Sequence, residues 1–425
     1  SQLFQHQPTP GGGDSVAPEE ALIVINEIAA DNRTLLSPWS TFADWIELRN
    51  PTETPFLLEG VAITDNVDLP AKWVFPEGAV LEPFGFAQIW LDGSTIPGDF
   101  NTGFGFKSGG DQIWLFDALS RGGALLDAIE FGIQIPGYTL GRHAETFEWI
   151  LTETSPSQPN SLVNLGNMAS IRINEWMANP QSGSDWFELF NTGELPVALA
   201  GLQISDDPAD PSKKLFPPLS FLGSGVAAYL AIDADGNGGG SRDANFKLSA
   251  SGETILLSDA QGTAIDQVDF GLQTEGVSQG RWPDGASEIF DFVLSDSPGR
   301  MNELDADLDG LPDLWELEFG FNPSAIGEAF LDIDSDGLSN YQEYQADTHP
   351  SDASDVLAIE NAWVAGRHLA LSFQAKQGRG YEIQQTSDLT SDQWETIWEV
   401  NSLLDDRELS LAIPFDQGLS LQRFI

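Results

Sequence analysis

One ordered set of short motifs occurs twice in this chain, roughly 140 residues apart. "VINEIAADN", starting at Val24, returns as "RINEWMANP", starting at Arg172. "DWIELRNPTETPFLLEGVAITDN" from Asp44 returns as "DWFELFNTGELPVALAGLQISDD" from Asp185, and "FKSGGDQIWLFDA" from Phe106 as "FKLSASGETILLSDA" from Phe246. "IEFG" ending at Gly132 is matched by "VDFG" ending at Gly271, and "LGR" ending at Arg142 by "QGR" ending at Arg281. Both copies close alike, with "SPSQPN" from Ser155 and "SPGRMN" from Ser297. A period this long excludes a solenoid, whose repeats are far shorter. Inside each copy, β-type runs such as "ALIVINEI" and "FAQIWLDG" alternate with Gly, Pro, Asn and Asp, and long amphipathic helical patterns are missing. That is the pattern of a β-sandwich. The chain reads as all-β, with two tandem sandwiches at 21–165 and 168–302. Its 425 residues exceed what one core organises.

These residues resemble the lamin-tail domain as it occurs in bacterial exported proteins. The shared marks are I-N-E opening a strand, D-W-x-E-L-x-N closing a hairpin, and the late G-R and S-P-x-x-x-N elements. The resemblance implies an immunoglobulin-like fold and a binding or spacer role, and it implies no chemistry. Trp45 and Trp186 are expected at equivalent places. Glu27, Glu47, Glu175 and Glu188 recur at matched positions and read as strand-edge carboxylates that bond turn amides or Arg.

The ends differ from this body. "SQLFQHQPTPGGGDSVAPEE" (1–20) is polar and rich in Pro and Gly, and reads as a flexible arm in which Leu3 and Phe4 could contact a neighbour. The start at Ser1 is read as a processed N-terminus with its signal peptide removed. Residues 356–425 are β-type again. Their "SFQAKQGRGYEIQQTSDLTSDQW" stretch resembles a small C-terminal β-module that follows calcium repeats in large exported proteins of Planctomycetes and Verrucomicrobia. The modules together read as a string.

Between them, residues 303–355 contain "DADLDGLPDLWE" (305–316) and "DIDSDGLSNYQE" (332–343). A twelve-residue Ca²⁺ loop takes oxygen ligands from positions 1, 3, 5, 7, 9 and 12, with Gly at 6 where the chain turns back on the ion. The first copy offers Asp305, Asp307, Asp309, the Leu311 carbonyl, Asp313 and Glu316, with Gly310 at the turn. The second offers Asp332, Asp334, Asp336, the Leu338 carbonyl, Asn340 and Glu343, with Gly337. Two calcium ions are therefore expected. Residues 301–355 hold ten Asp and five Glu but no Lys or Arg; a solvated acidic linker would explain the charge and not the spacing. Pro312 occupies position 8 of the first loop, so it cannot donate the N–H that joins paired EF-hands. The segment resembles thrombospondin type 3 and dockerin calcium repeats, with EF-hand-like loops and short helices following near Asp313–Phe319 and Ser339–Gln345.

The net charge of −48 opposes binding to nucleic acid or anionic lipid and favours divalent cations and basic partners. Absence of Cys removes thiolate chemistry, and no apolar run approaches a membrane span. "GVSQG" around Ser278 matches the nucleophile-elbow pattern, but Pro283 and Gly285 follow where a helix must start. The four His residues have no metal-ligand spacing. Asp233, Asp235 and Asp243 flank the loop "GNGGGS" and are candidates for a third cation. No catalytic residues are assigned. The reading is a non-catalytic, extracellular or cell-surface calcium-binding protein, structural or adhesive, whose partners are other proteins or itself. The alternative is a carbohydrate- or polymer-binding accessory protein using Trp73, Trp114 or Trp282, and a hydrolase ranks third.

Overall fold

The apolar–polar alternation of the first repeat becomes twelve short strands, and their register explains which residues recur. The computed structural model describes residues 22–39, 41–93, 98, 100–237, 239–293, 295–365, 368–386, 394–400, 403, 405–414 and 422–424. The arm at 1–20, with Leu3 and Phe4, lies outside them. In chain order the strands are β1 (Val24–Ala29), β2 (Asp44–Arg49), β3 (Phe56–Leu57), β4 (Ala62–Thr64), β5 (Trp73–Val74), β6 (Val80–Leu81), β7 (Phe86–Leu91), β8 (Asp111–Phe116), β9 (Leu125–Phe131), β10 (Tyr138–Arg142), β11 (Trp149–Glu153) and β12 (Ser161–Leu162). They form antiparallel sheets in the orders β12-β11-β10-β1-β2-β7, β5-β4-β8-β9 and β3-β6.

The second repeat contributes β13 (Ile171–Met177), β14 (Trp186–Asn191), β15 (Val197–Ala198), β16 (Gln203–Ser205), β17 (Lys214–Leu215), β18 (Phe221–Leu222), β19 (Tyr229–Asp233), β20 (Glu253–Ser258), β21 (Ala264–Phe270) and β22 (Val277–Arg281). Its sheets include the runs β22-β13-β14-β19, β17-β16-β20-β21 and β15-β18, which match β10-β1-β2-β7, β5-β4-β8-β9 and β3-β6 of the first repeat; the first repeat's large sheet has six strands, the second's five. The cores match too: Ile25, Ile46 and Leu48 occupy the places of Ile173, Phe187 and Leu189. Burial of each such side chain stabilises by about 1.5–3 kcal/mol. Trp45 and Trp186 hold equivalent register positions, opposite Ala29 and Met177. Their surroundings differ. Trp45 faces Trp90 across the next strand and is buried, whereas Trp186 faces Asp233 and is half-buried.

The late G-R element is an ion pair in both copies, buried in the first and part-buried in the second. The Arg142 guanidinium donates to both oxygens of Asp127 at 2.7 and 2.8 Å, to the Ile25 carbonyl and to the Phe147 carbonyl. Arg281 repeats each contact with Asp266, Ile173 and Ala286. A buried pair is stable only when its remaining donors are used, as here.

The chain divides into two compact units. The first holds the described residues up to 34 with 43–288 and 298–300; the second holds 35–42, 289–297 and those after 300. Both sandwiches lie in the first unit, so they are not separate beads of a string. Ile133, at the end of the first repeat's sheet, is part of the second core, and Phe221 of the second repeat is part of the first. Phe221 N donates to Ile133 O at 2.9 Å and Gly132 N to Pro218 O at 3.2 Å. A Cβ on Gly132 would lie 1.9 Å from Ser220 Oγ and 2.8 Å from Pro217 Cγ, so only glycine fits there.

In the second unit, β23 (Ile289–Val293) precedes the acidic segment with α1 (Asp313–Phe319) and α2 (Asn340–Ala346). The terminal module has β24 (Asn361–Ala365), β25 (His368–Ala375), β26 (Tyr381–Gln385), β27 (Glu395–Val400), β28 (Arg407–Pro414) and β29 (Gln422–Phe424), in sheets β24-β25-β28 and β27-β26-β29. Leu371, Phe373, Tyr381, Ile383 and Trp398 lie in its core.

Candidate metal centre

The two acidic loops share one backbone path, which their own side chains hold. At position 1, Asp305 accepts from Leu308 N (2.7 Å) and Gly310 N (2.9 Å); Asp332 accepts from Ser335 N (2.7 Å) and Gly337 N (3.2 Å). Asp307 and Asp334 accept from the N–H two residues on, at 3.2 Å in both. Asp309 and Asp336 do the same for Leu311 N (3.1 Å) and Leu338 N (2.7 Å). These are the local turns that aspartate favours. Gly310 and Gly337 have φ of 97° and 105°, which their lack of Cβ permits. Leu308 and Ser335, at φ 62° and 67°, take the same unusual conformation at matched places. Each loop closes by a main-chain bond from position 9 to the residue before position 1: Asp313 N to Leu304 O (2.8 Å) and Asn340 N to Leu331 O (2.7 Å). The helices then start. Ser339 caps α2 with a reciprocal Gln342 contact, while Pro312 precedes α1.

This path brings carboxylates together. Ligand atoms of Asp305, Asp307 and Asp309 lie within 4.8 Å of one another, as do those of Asp332, Asp334 and Asp336. Glu316 and Glu343, in the first turns of α1 and α2, are 0% exposed. Neither oxygen of either glutamate has a hydrogen-bond partner. One oxygen each of Asp307, Asp334 and Asp336, and the Asn340 amide oxygen, are likewise buried and unpartnered. Burial, then Asp307, Asp309, Asp313 and Glu328, push the Glu316 carboxyl up to about 7. Burial, then Asp334, Asp336, Asp332 and Asp355, do the same to Glu343, also to about 7. Among the proposed ligands, Asp313 is turned to its own loop, accepting from Ala306 N at 2.7 Å. The second oxygen of Asp309 accepts from Gly327 N and Ala329 N. Leu311 and Leu338 follow the turn glycines, held by their N–H groups. The donor set is all oxygen and strongly negative. It suits a hard divalent cation and leaves nothing for a soft one.

Other candidates resolve differently. Asp233, Asp235 and Asp243 form no such cluster: among the described residues only the two loop groups converge. Asp235 takes Asn237 N, and Asp243 takes Gly239 N and Asn245 N. Ser278 is buried and donates to Glu175 at 2.5 Å, as Thr139 donates to Glu27 at 2.7 Å, so the elbow-like motif is structural. His143 Nδ1 accepts from two turn amides. Trp73 and Trp114 are buried, so neither offers a face to a polymer; Trp282 is half-buried.

The recurring glutamates are not at strand edges. Glu27 sits opposite Glu47 and Glu175 opposite Glu188 on adjacent strands, all fully buried. They do bond turn amides: Glu27 takes Ser155 N, Glu47 takes Ser157 N and Glu188 takes Gly299 N. So each pair pins the closing S-P segment of its repeat. Burial, with Glu175 and Asp284 nearby, pushes the Glu188 carboxyl up to about 9; burial pushes Glu47 to about 7. The Arg partners of these sandwiches are Asp127 and Asp266 instead. A sequence signal for them existed in the recurrence of "DAIEFG" as "DQVDFG".

Two immunoglobulin-like sandwiches whose core strands follow one order, spliced into one unit, define the class of this protein. The lamin tail domain model matches residues 17–132 and 166–271, just over half of the chain. The chain belongs to the lamin tail domain family. No curated protein and no solved structure matches it. No helix among the described residues is long and apolar enough to cross a membrane.

Proposed function

We propose that this chain is a non-catalytic structural or adhesive component of an exported assembly, and that two Ca²⁺ ions order its acidic segment. One ion is held by Asp305, Asp307, Asp309, the Leu311 carbonyl, Asp313 and Glu316. The other is held by Asp332, Asp334, Asp336, the Leu338 carbonyl, Asn340 and Glu343. The observation that carries this reading is the buried, unpartnered carboxylate of Glu316 and of Glu343, each feeling the charges of the aspartates of its own loop. An uncompensated buried charge is costly and calls for a cation. Ca²⁺ fits better than Mg²⁺, because it accepts six to eight oxygens in a flexible shell. Ligand binding then becomes ordering free energy for residues 303–355. Calcium loops of extracellular modules work at about 10⁻⁴–10⁻³ M, which suits a location outside the cell. The thrombospondin-like and dockerin-like character of the repeats, and the relation of the terminal module to those of exported proteins, belong to the same proposal.

Limited proteolysis tests it. The full chain should be cut within 301–355 in chelator and protected there by Ca²⁺. Asp309→Ala with Asp336→Ala should abolish the protection. Cleavage indifferent to chelator removes the calcium reading, and turnover of a glycan, ester or phosphate by the pure protein removes the non-catalytic one.

A further inference from the structure

The junction between the sandwiches is directional, and each repeat carries both halves of it. The giving half is the segment after β9. Ile133 is 1% exposed within the second core, and its carbonyl accepts from Phe221 N on β18. The receiving half is the β15–β18 face, whose Ala198, Phe221 and Ala227 pack against the first core.

Both halves recur at the far ends of the pair. Leu272 stands after Gly271 as Ile133 stands after Gly132, and it is 80% exposed. On the receiving side, the Leu57–Val80 pair of β3 and β6 is the counterpart of the Ala198–Phe221 pair of β15 and β18. Phe84 stands two residues before Phe86, which pairs with Arg49, as Ala227 stands two before Tyr229, which pairs with Phe190. Leu57, Val80 and Phe84 are all exposed.

The glycines supply an independent observation. Gly132 is required because Ser220 and Pro217 lie against it. Gly271 has open space where a Cβ would go, and its φ is not in the left-handed region, so nothing among the described residues requires glycine there. Close approach by another molecule would. Two contacts differ: Gln134 reaches Leu219 O at 2.7 Å across the junction, whereas Gln273 is turned inward and accepts from Ala178 N, and Ile133 N donates to Ser220 Oγ at 3.1 Å, where the open face has Ala79. The open copy of the contact therefore rests on Leu272 and the main chain.

We propose that the chain binds a second copy of itself head to tail. The Gly271–Leu272 segment of one molecule seats on the Leu57, Val80 and Phe84 face of the next, repeating the intramolecular junction. This rests on the assembly reading above and supplies its mode. Because the two surfaces are different, each molecule keeps one of each free, and growth does not stop at a dimer.

Sedimentation velocity on the full chain, over a concentration series in Ca²⁺ and in chelator, tests this. The wild type should form species beyond the dimer as concentration rises. Leu272→Asp and Val80→Asp each alter one exposed side chain, and each should weaken association by roughly tenfold or more. An equimolar mixture of the two variants should form one-to-one dimers and stop, since one complementary pair of surfaces survives. Gly271→Leu, which fills open space without touching the fold, should also block growth. A wild type that stays monomeric, variants that assemble like wild type, or a mixture that stays monomeric overturns the proposal. Calorimetry with Ca²⁺ on the same samples separates the two readings. Calcium binding without association removes only the head-to-tail contact, and association without calcium binding removes only the calcium sites.

Discussion

Glu316 and Glu343 each place two unpartnered carboxylate oxygens out of water beside a cluster of aspartates. Removing one such charge should relieve the metal-free chain while removing its response to metal. Glu316→Gln and Glu343→Gln should therefore leave the melting temperature in chelator unchanged or raised. Each should delete one site's share of the Ca²⁺-dependent gain. That share is about 2.7 kcal/mol when free Ca²⁺ is 100 times the dissociation constant. Thermal scans with and without chelator check this, and a variant that keeps the full gain contradicts it. Glu188 makes a different statement. Its carboxyl lies near 9 in the folded chain, against 4.5 as a free group, so the folded state holds a proton that the unfolded state releases. That contribution is complete below about 4.5 and is lost as pH rises to about 9, at a slope of up to about 1.4 kcal/mol per pH unit. Glu47, pushed to about 7, and Asp44, also pushed to about 7 by burial, act in the same direction over the lower part of that range. Melting temperatures of the wild type should fall between about pH 5 and pH 9. Glu188→Gln should flatten the alkaline part, and a flat wild-type profile would reject this role for the glutamates.

At the scale of elements, the junction yields a paired prediction. Gly132→Ala forces a Cβ to 1.9 Å from Ser220 Oγ and should destabilise by about 1–3 kcal/mol. Gly271→Ala, at the equivalent place with open space, should change the stability of the monomer by less than about 0.5 kcal/mol. Chemical denaturation at dilute concentration distinguishes them, and equal effects would mean that the junction does not depend on that close approach. The repeated backbone path of the two acidic loops was legible because side chains fix it through bonds to amides two to five positions away. The sandwiches were legible because alternation and turns recur in order. Ile133 was not, because an apolar residue after a glycine looks the same whether it fills its own core or its neighbour's. The glutamate pairs were misplaced at strand edges for a related reason. Sequence shows that an acid recurs in a strand, while its burial depends on which segment later folds over it, here Ser155–Ser157 and Gly299.

At the scale of the whole molecule, charge is the dominant quantity. The chain carries −48, and fifteen of its acids lie between 301 and 355 with no Lys or Arg to offset them. Two divalent cations would neutralise part of that segment where its carboxylates are closest, which is why the calcium sites are the centre of this account. Isothermal titration of the chelator-treated full chain with Ca²⁺ tests that claim most directly. The account predicts two ions bound per chain and none with Asp309→Ala plus Asp336→Ala. Absence of binding to the wild type, or binding that survives the double substitution, would contradict it.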